Sequence, residues 1–403
     1  MKIIFLIVFV DLMGFGLIVP LLPFFAEHFT ASPTMVGLLM ASYSLAQLVS
    51  APLWGRLSDR TGRRPVLLWS LGGIALAYVD LAFADSLWML FAARTIAGAM
   101  AGNIAAAFAY AADVSTPTNR ARAMGTIGAA FGLGFMIGPA IGGALAGSDP
   151  LNANFQLPAL AAAALSATAF LLTLFMLPES LPDDVRARAQ EGAGSSRLAE
   201  FRRVIGRSVV AQILLVSFLA TFVFAGLEAM FALWSHQHLG WGPAQNGYLF
   251  ALVGTISALV QGGLVGPLAR RLGEARLIAL GAAALGCGML LIPLTTTAWD
   301  LSAVMALTAA GFSLLSPGLN SLLSLHVGRA NLGGSMGVSR SVTTLARVVG
   351  PVCLGAVFDT LGKDWPFYAG AAIMALTVVM TTRFAATGWQ QAEASATGEQ
   401  VAD

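Results

Sequence analysis

Charge is scarce in this chain. Asp, Glu, Lys and Arg make up 10% of its 403 residues, where an ordinary soluble domain carries about 25%. A fold bathed in water has no way to hide the 57% of residues that are hydrophobic, which argues against a soluble globule. Net charge is only +2, and the basic residues sit in short loops without interleaved aromatics, so no nucleic-acid partner is expected. Cysteine is nearly absent. Cys287 and Cys353 both lie within apolar runs, which argues against a disulfide framework or a metal site and for buried packing residues. His236 and His238 have no further ligand pattern around them and read as interfacial residues. The chain also lacks a Gly-Lys-Ser/Thr phosphate loop, a His-Glu-x-x-His pair and a nucleophile elbow, so neither ATP hydrolysis nor another enzyme activity is expected, and no cofactor.

Long apolar runs dominate instead, several of them near the roughly 20 residues that cross a bilayer core. Cut at polar clusters, the chain yields twelve candidate membrane helices, the secondary structure that satisfies every backbone group in lipid. They run from Ile3 to Phe25, Met35 to Leu53, Val66 to Ala84, Leu87 to Ala109, Met124 to Ala146 and Leu157 to Leu177. The second six run from Val209 to Trp234, Gly247 to Leu268, Leu277 to Leu294, Leu301 to Leu323, Gly334 to Phe358 and Phe367 to Phe384. This predicts an all-α integral membrane protein with six-helix bundles over 1–178 and 208–386. A cytoplasmic linker with one amphipathic helix is expected over 179–207, and a disordered tail over 387–403. Asp11, Pro20 and Pro23 interrupt the first run and no small-residue cleavage site follows, so it reads as a retained helix. With the N-terminus inside, every Lys and Arg outside the helices except Lys363 falls on the inner side, which predicts cytoplasmic termini.

Two echoes divide the chain in half. Gly55, Leu57, Asp59, Arg60 and Gly62 recur in spacing as Gly266, Leu268, Arg270, Arg271 and Gly273, an offset of 211 residues. Gly138 and Pro139 recur as Gly350 and Pro351, an offset of 212. Chance matching in a glycine-rich chain is one explanation. A duplicated six-helix unit, of the kind that rocks around a site near the midplane, is the other.

Charges inside the spans are costly unless paired or hydrated, and so mark candidate sites. Asp11 lies about 14 Å from the start of its span at 1.5 Å per residue, near mid-membrane. Arg94 falls in the outer half of the fourth span, and Arg340 and Arg347 share a face of the eleventh. Glu228 stands among Phe222, Phe224, Phe231 and Trp234, where an acid beside aromatics suits a lipophilic cation or a proton, although a hydrogen-bonded structural acid fits too. Asp80 reads as interfacial. Tyr43, Gln47 and Ser50 share one face of the second span, and Ser313, Ser316, Asn320 and Ser324 one face of the tenth. These stripes line a watered cavity or hold helices together. In the loop Gly55 to Leu68, glycines make the turn while Asp59 and four arginines can pair across it.

These features resemble the major facilitator superfamily, in particular its tetracycline and multidrug proton-antiporter branch. The resemblance is carried by Asp11, Gly14, Gly16, Pro20 and Pro23; by Gly55 to Arg64; by Arg94, Gly98 and Gly102; and by Gly132 to Gly143. It implies the two-bundle fold, with helices 1, 4, 7 and 10 lining the cavity, and Asp11 and Arg94 as proton-coupling partners whose pairing a proton breaks, a static structural pair being the alternative. Glu228, an acid that the tetracycline exporters lack, is the third proton-coupling candidate and points to a cationic substrate. It further implies that Asp59 caps helix 11, and that Gly55, Asp59, Arg60, Arg63, Arg64 and Asp113 form a cytoplasmic gate with an Asp59–Arg63–Asp113 relay. Gly134, Gly138, Pro139, Gly142 and Gly143 match an antiporter motif, whose four-residue glycine spacing lets helices approach closely. Tyr43, Gln47, Phe224, Glu228, Phe231, Ser316 and Asn320 are the expected cavity. The implied activity is proton-coupled export of small amphiphilic, cationic drugs by a monomer in the bacterial inner membrane. Dedicated tetracycline exporters differ: this chain has no acid in its ninth span, Leu277 to Leu294, Ser257 near their helix-8 histidine, and Ala77 at their helix-3 aspartate. A tetracycline exporter, and a metabolite uniporter or importer of the same fold, are the alternatives.

Overall fold

The computed structural model describes residues 1–116, 119–150, 152–181, 208–327 and 332–384. Among them lie twelve helices long and apolar enough to cross a membrane, and no strand. They are α1 Lys2–His28, α2 Pro33–Thr61, α3 Arg63–Ala82, α4 Leu87–Asp113, α5 Arg122–Ala146 and α6 Gln156–Met176, then α7 Ser208–Leu239, α8 Pro243–Leu272, α9 Glu274–Leu294, α10 Ala298–His326, α11 Gly334–Leu361 and α12 Trp365–Phe384. The expected amphipathic helix between α6 and α7 and the expected tail over 387–403 lie outside the described residues.

Each expected span is present, but the ends move. The second span, expected to stop at Leu53, continues through Arg56, Asp59 and Arg60 to Thr61. Hydropathy marks where lipid ends, whereas a nucleated helix propagates on its backbone hydrogen bonds into water. The turn into α3 is therefore a single residue, Gly62, at φ 110° and ψ 166°, a region in essence open only to glycine. Gly55 makes no turn: it sits inside α2 with open space where a side chain would lie.

Helix α4 is discontinuous. Its first segment ends at Met100 and its second begins at Asn103. Backbone groups freed by the break find side-chain partners on neighbouring helices. Trp54 Nε1 of α2 donates to the Ala99 carbonyl (2.6 Å), while Ser70 Oγ of α3 donates to the Met100 carbonyl and accepts from Asn103 N. Broken helices persist in membranes where such replacements exist.

By packing, the described chain forms two compact units, one of Met1–Ala193 with Glu228–Thr255, the other of Gly194–Leu227 with Ile256–Asp403. In the first, α1 lies against α5 and α6, and a core of Ile4, Ile7, Leu67, Leu71, Ala107 and Ile127 is buried between the helices. The glycine ridge of α5 presses on α1: a Cβ at Gly134 would lie 2.9 Å from Leu12 Cβ, and one at Gly138 2.7 Å from the Met13 carbonyl oxygen. On another face of α5, a Cβ at Gly143 would meet the Pro243 carbonyl at 2.7 Å. In the second unit α9 packs on α10 and α12, and a Cβ at Gly350 would stand 2.5 Å from the Phe222 carbonyl oxygen. The duplicated Gly-Pro pairs thus sit at equivalent close approaches, α5 on α1 and α11 on α7.

Cys287 and Cys353 are exposed on helix surfaces, contrary to the expectation of buried packing. An apolar run tells that a residue is out of water, and in a membrane protein lipid provides that as readily as a core does.

Candidate functional site

At the Gly62 turn Asp59, Arg63 and Asp113, three of the expected gate residues, come together. Arg63 opens α3, and its Nη1 donates to Asp59 Oδ1 at 2.6 Å and to Ser58 Oγ at 3.1 Å, while its Nε donates to Asp113 Oδ2 at 2.9 Å. The arginine is buried and Asp59 is mostly exposed, so the cluster reaches from the helix packing to the surface. Arg64 turns the other way and donates to the Leu174 carbonyl at 2.6 Å, a cation on the C-terminal end of α6, where the helix dipole favours it. Arg60 is exposed.

One member of the cluster was not anticipated. The Glu179 carboxylate, just beyond α6, accepts from Arg63 N (2.8 Å) and Arg64 N (3.1 Å), the first amides of α3. A side chain at Gly62 would run into that carboxylate. Beside it Ser180 Oγ donates to Asp113 Oδ2 at 3.2 Å. The available signal was an acid at a helix end with two arginines unaccounted for.

The intramembrane carboxylate is placed differently from expectation. Asp11 is buried, 5% exposed, and among the described residues is in no ion pair; its Oδ1 accepts from Ser166 Oγ of α6 (3.1 Å) and its Oδ2 from Asn103 Nδ2 of α4. The expected pairing with Arg94 is not made. Arg94 is also buried, and its guanidinium lies 4.4 Å from the Tyr43 ring centroid and 5.8 Å from that of Phe15. Its Nε and Nη1 are buried without a hydrogen-bond partner among the described residues. The break in α4 falls between Arg94 and Asn103, and it is Asn103, heading the second segment, that reaches Asp11. A lone Asn following Ala-Gly inside an apolar span was the clue.

Of the expected cavity residues, Tyr43, Gln47, Glu228 and Phe231 belong to the first unit and Phe224, Ser316 and Asn320 to the second. Tyr43 meets Arg94. Glu228 is half-buried. Phe231 is fully buried against Trp234 and Phe250. Phe224 stacks on Phe312 with centroids 4.0 Å apart, Ser316 is half-buried and Asn320 exposed. His236 Nδ1 of α7 lies 3.0 Å from Glu27 Oε2 of α1.

The antiporter-motif residues Gly134, Gly138, Pro139, Gly142 and Gly143 all lie at close approaches. Besides the contacts given above, a Cβ at Gly16 of α1 would meet Pro139 Cδ at 3.3 Å.

Comparison with known proteins bears on the fold and the family. The model of the Major Facilitator Superfamily matches residues 4–351 and 264–399. The chain is 34% identical over 363 residues to the class E tetracycline resistance protein of Escherichia coli, covering 89% of this chain and 88% of that one. It is 30% identical over 382 residues to multidrug resistance protein 2 of Bacillus subtilis, with 93% and 92% covered. Among solved structures, the human organic anion transporter MFSD10 superposes with a TM-score of 0.71 at 28% identity, covering 94% of this chain and 98% of that chain. The chain therefore belongs to the major facilitator superfamily, within its drug-efflux branch, and is a multi-pass membrane transporter of small molecules.

Proposed function

We propose that the protein is a proton-coupled antiporter that exports amphiphilic drugs from a bacterial cell by alternating access, working as a monomer in the inner membrane with both termini in the cytoplasm. The observation that carries this reading is Asp11: a carboxyl group in the apolar interior, held by an amide and a hydroxyl and by no fixed cation. A permanent ion pair would hold one charge state, whereas neutral partners leave the group able to take up and release a proton. Glu228 is the acid that favours cationic drugs. The Asp59–Arg63–Asp113 cluster is the gate, whose exposed member can leave its partner as helices move.

A second reading of the substrate rests on Arg94. A buried guanidinium with two donors free of partners favours a substrate that presents acceptor oxygens, as tetracycline does. The relatives named for tetracycline resistance and the human organic anion transporter support the same alternative.

Purified full-length protein in proteoliposomes separates these. Tetraphenylphosphonium, a neutral analogue of similar shape and tetracycline are each added, and proton release is recorded. Proton release with at least one probe is expected, and its loss in Asp11→Asn. Full gradient-driven accumulation by Asp11→Asn would move the proton site elsewhere. Glu228→Gln is expected to weaken tetraphenylphosphonium binding by about tenfold and the neutral analogue little, because Coulomb attraction survives in part after desolvation. Equal losses for both would make Glu228 a structural or proton-carrying acid.

A further inference from the structure

Asn103 has an amide with two unlike ends and only one of them in use. Its Nδ2 donates to Asp11 Oδ2, while its Oδ1 is buried without a partner. A buried acceptor left unsatisfied costs free energy, and such a group in a native fold calls for an explanation. Ionised and protonated carboxyls make opposite demands on a neighbour. The carboxylate only accepts; the acid has an O–H to donate. An amide meets both, because a half-turn about its Cβ–Cγ bond exchanges Nδ2 for Oδ1 with almost no change of shape. The Ser166 hydroxyl, on the other oxygen of Asp11, has the same double capacity by rotating its hydrogen.

We propose that Asn103 is a positioning residue of the proton site, an amide that turns over when Asp11 changes its protonation state. This rests on the reading of Asp11 as the proton carrier. A proton from the acidic side adds to Asp11 Oδ2 and forms an O–H bond. The Nδ2–H hydrogen bond to that oxygen is given up, and after the half-turn the new O–H donates to Asn103 Oδ1. Release to the other side reverses each step. One end of the amide is unpartnered in either state, so the switch adds no unsatisfied group, and neither state is locked. A cavity of about 10 Å³ beside the pair, lined by Ile7, Val8, Leu12, Leu67, Leu71 and Ile104, leaves space for the motion.

Asn103 is well placed to pass the event on. It is the first residue of the second segment of α4, and its backbone N is held by Ser70 Oγ, which also holds the Met100 carbonyl on the far side of the break. The same segment ends at Asp113, the partner of Arg63. The change of hydrogen bonding at Asn103 therefore takes place at the head of a short helix whose other end is in the gate cluster. The other titratable groups around Asp11 are Tyr78 of α3, which interacts with it electrostatically, and Tyr43 of α2 and Arg94 of α4, which interact with Tyr78. Along α6 there is none, and α5 carries only Arg122 at its end.

The test uses the proton itself as ligand. Difference infrared spectra are recorded across a pH step on full-length protein in proteoliposomes, with the Asp11 carboxyl band identified by its loss in Asp11→Asn. Asn103→Leu, of similar volume and without donor or acceptor, is expected to shift that band to higher frequency. It should also reduce gradient-driven efflux of whichever probe is carried by about tenfold, the size of one hydrogen bond to a charged group. Counterflow, which moves no net proton, should stay within about twofold, and Asn103→Gln should recover most of the lost coupling. An unmoved band with unchanged efflux overturns the proposal. Equal loss of counterflow and gradient-driven efflux, with the band unmoved, also overturns it by making Asn103 merely structural. If Asn103→Leu does not fold, Asn103→Ala decides by the same band, shifted or unmoved. Should Asp11→Asn itself keep its coupling, the reading of Asp11 fails; a dead Asp11→Asn with an indifferent Asn103→Leu sinks only the role of Asn103.

Discussion

At Gly62 the chain turns from α2 into α3 at φ 110°, and at Gly273 it turns from α8 into α9 at φ 77°, with nearly the same ψ of 166° and 158°. The backbone device is duplicated while the chemistry around it is not. Helix α9 opens with Glu274, an anion at the positive end of its own helix dipole, and Ser321 Oγ of α10 donates to it at 3.1 Å. Helix α3 opens with Arg63 and Arg64, two cations where the dipole disfavours them. That turn recruits its anions from elsewhere: Asp59 from the preceding helix, Asp113 from the end of α4 and Glu179 from beyond α6. A helix start that would be uncomfortable alone becomes the place where four helix ends are tied together. The second turn, supplied with its own acid, needs no such tie.

The largest expected effect breaks the comparison at its backbone. Gly62→Ala and Gly273→Ala each place a side chain in a glycine region, at about 1–3 kcal/mol. At Gly62 the new Cβ also collides with Glu179 and pushes it off the α3 amides, a lost cap of about 1 kcal/mol more. Thermal unfolding in detergent should therefore rank Gly62→Ala below Gly273→Ala. In a Glu179→Ala background the added penalty at Gly62 should vanish. Equal melting of the two single variants would remove Glu179 from the account.

Next comes charge. Asp59→Asn keeps size and removes one of the two anions on Arg63, whereas Arg270, its counterpart by spacing, is in no such cluster among the described residues. Transport should fall by roughly a hundredfold in Asp59→Asn, the scale of a charge-assisted hydrogen bond lost at a gate, with normal amounts of folded protein. Arg270→Gln should transport within about twofold of the parent. Normal efflux by Asp59→Asn would end the gate assignment.

A third pair tests where the halves are alike. Gly138→Ala and Gly350→Ala push a methyl group into carbonyls at 2.7 and 2.5 Å. Each should cost about 1–3 kcal/mol by overpacking, and by similar amounts. A neutral change at one and a severe one at the other would show that the duplicated Gly-Pro pairs no longer do the same work.

How much of this was legible in the sequence follows the physics of each feature. The twelve spans were, because crossing lipid requires some twenty apolar residues and little else does. Their ends were not: the helical residues Arg56 to Thr61 are held by backbone bonds that hydropathy does not see. Asp11 stood out by its charge, as did the Asp59–Arg63–Asp113 cluster by its motif. The partner of Asp11 was misplaced because Arg94 meets α1 at Phe15, four residues beyond Asp11, and it is Asn103, heading the second segment of α4, that reaches the carboxylate. Glu179 was hidden because a cap across 116 residues of chain has no local signature.

The smallest expected effect concerns the cysteines, and it sharpens the contrast between a buried interior and a lipid-facing surface. Cys287 of α9 and Cys353 of α11 are exposed on helices whose neighbours Leu285 and Leu354 are buried. If those surfaces meet lipid, each thiol exchanges one apolar surrounding for another on folding into the bundle, and its removal leaves no cavity. Cys287→Ala and Cys353→Ala should then melt within about 0.5 kcal/mol of the parent, as surface substitutions do. Cys287→Phe and Cys353→Phe should be tolerated as well, since lipid yields where a packed core would not. A lipid-soluble maleimide should label both sites in membranes faster than a charged, membrane-impermeant one. Loss of more than about 2 kcal/mol in either Phe variant would place that cysteine in a packed interface, and returns the reading to the buried residue that its apolar surroundings first implied.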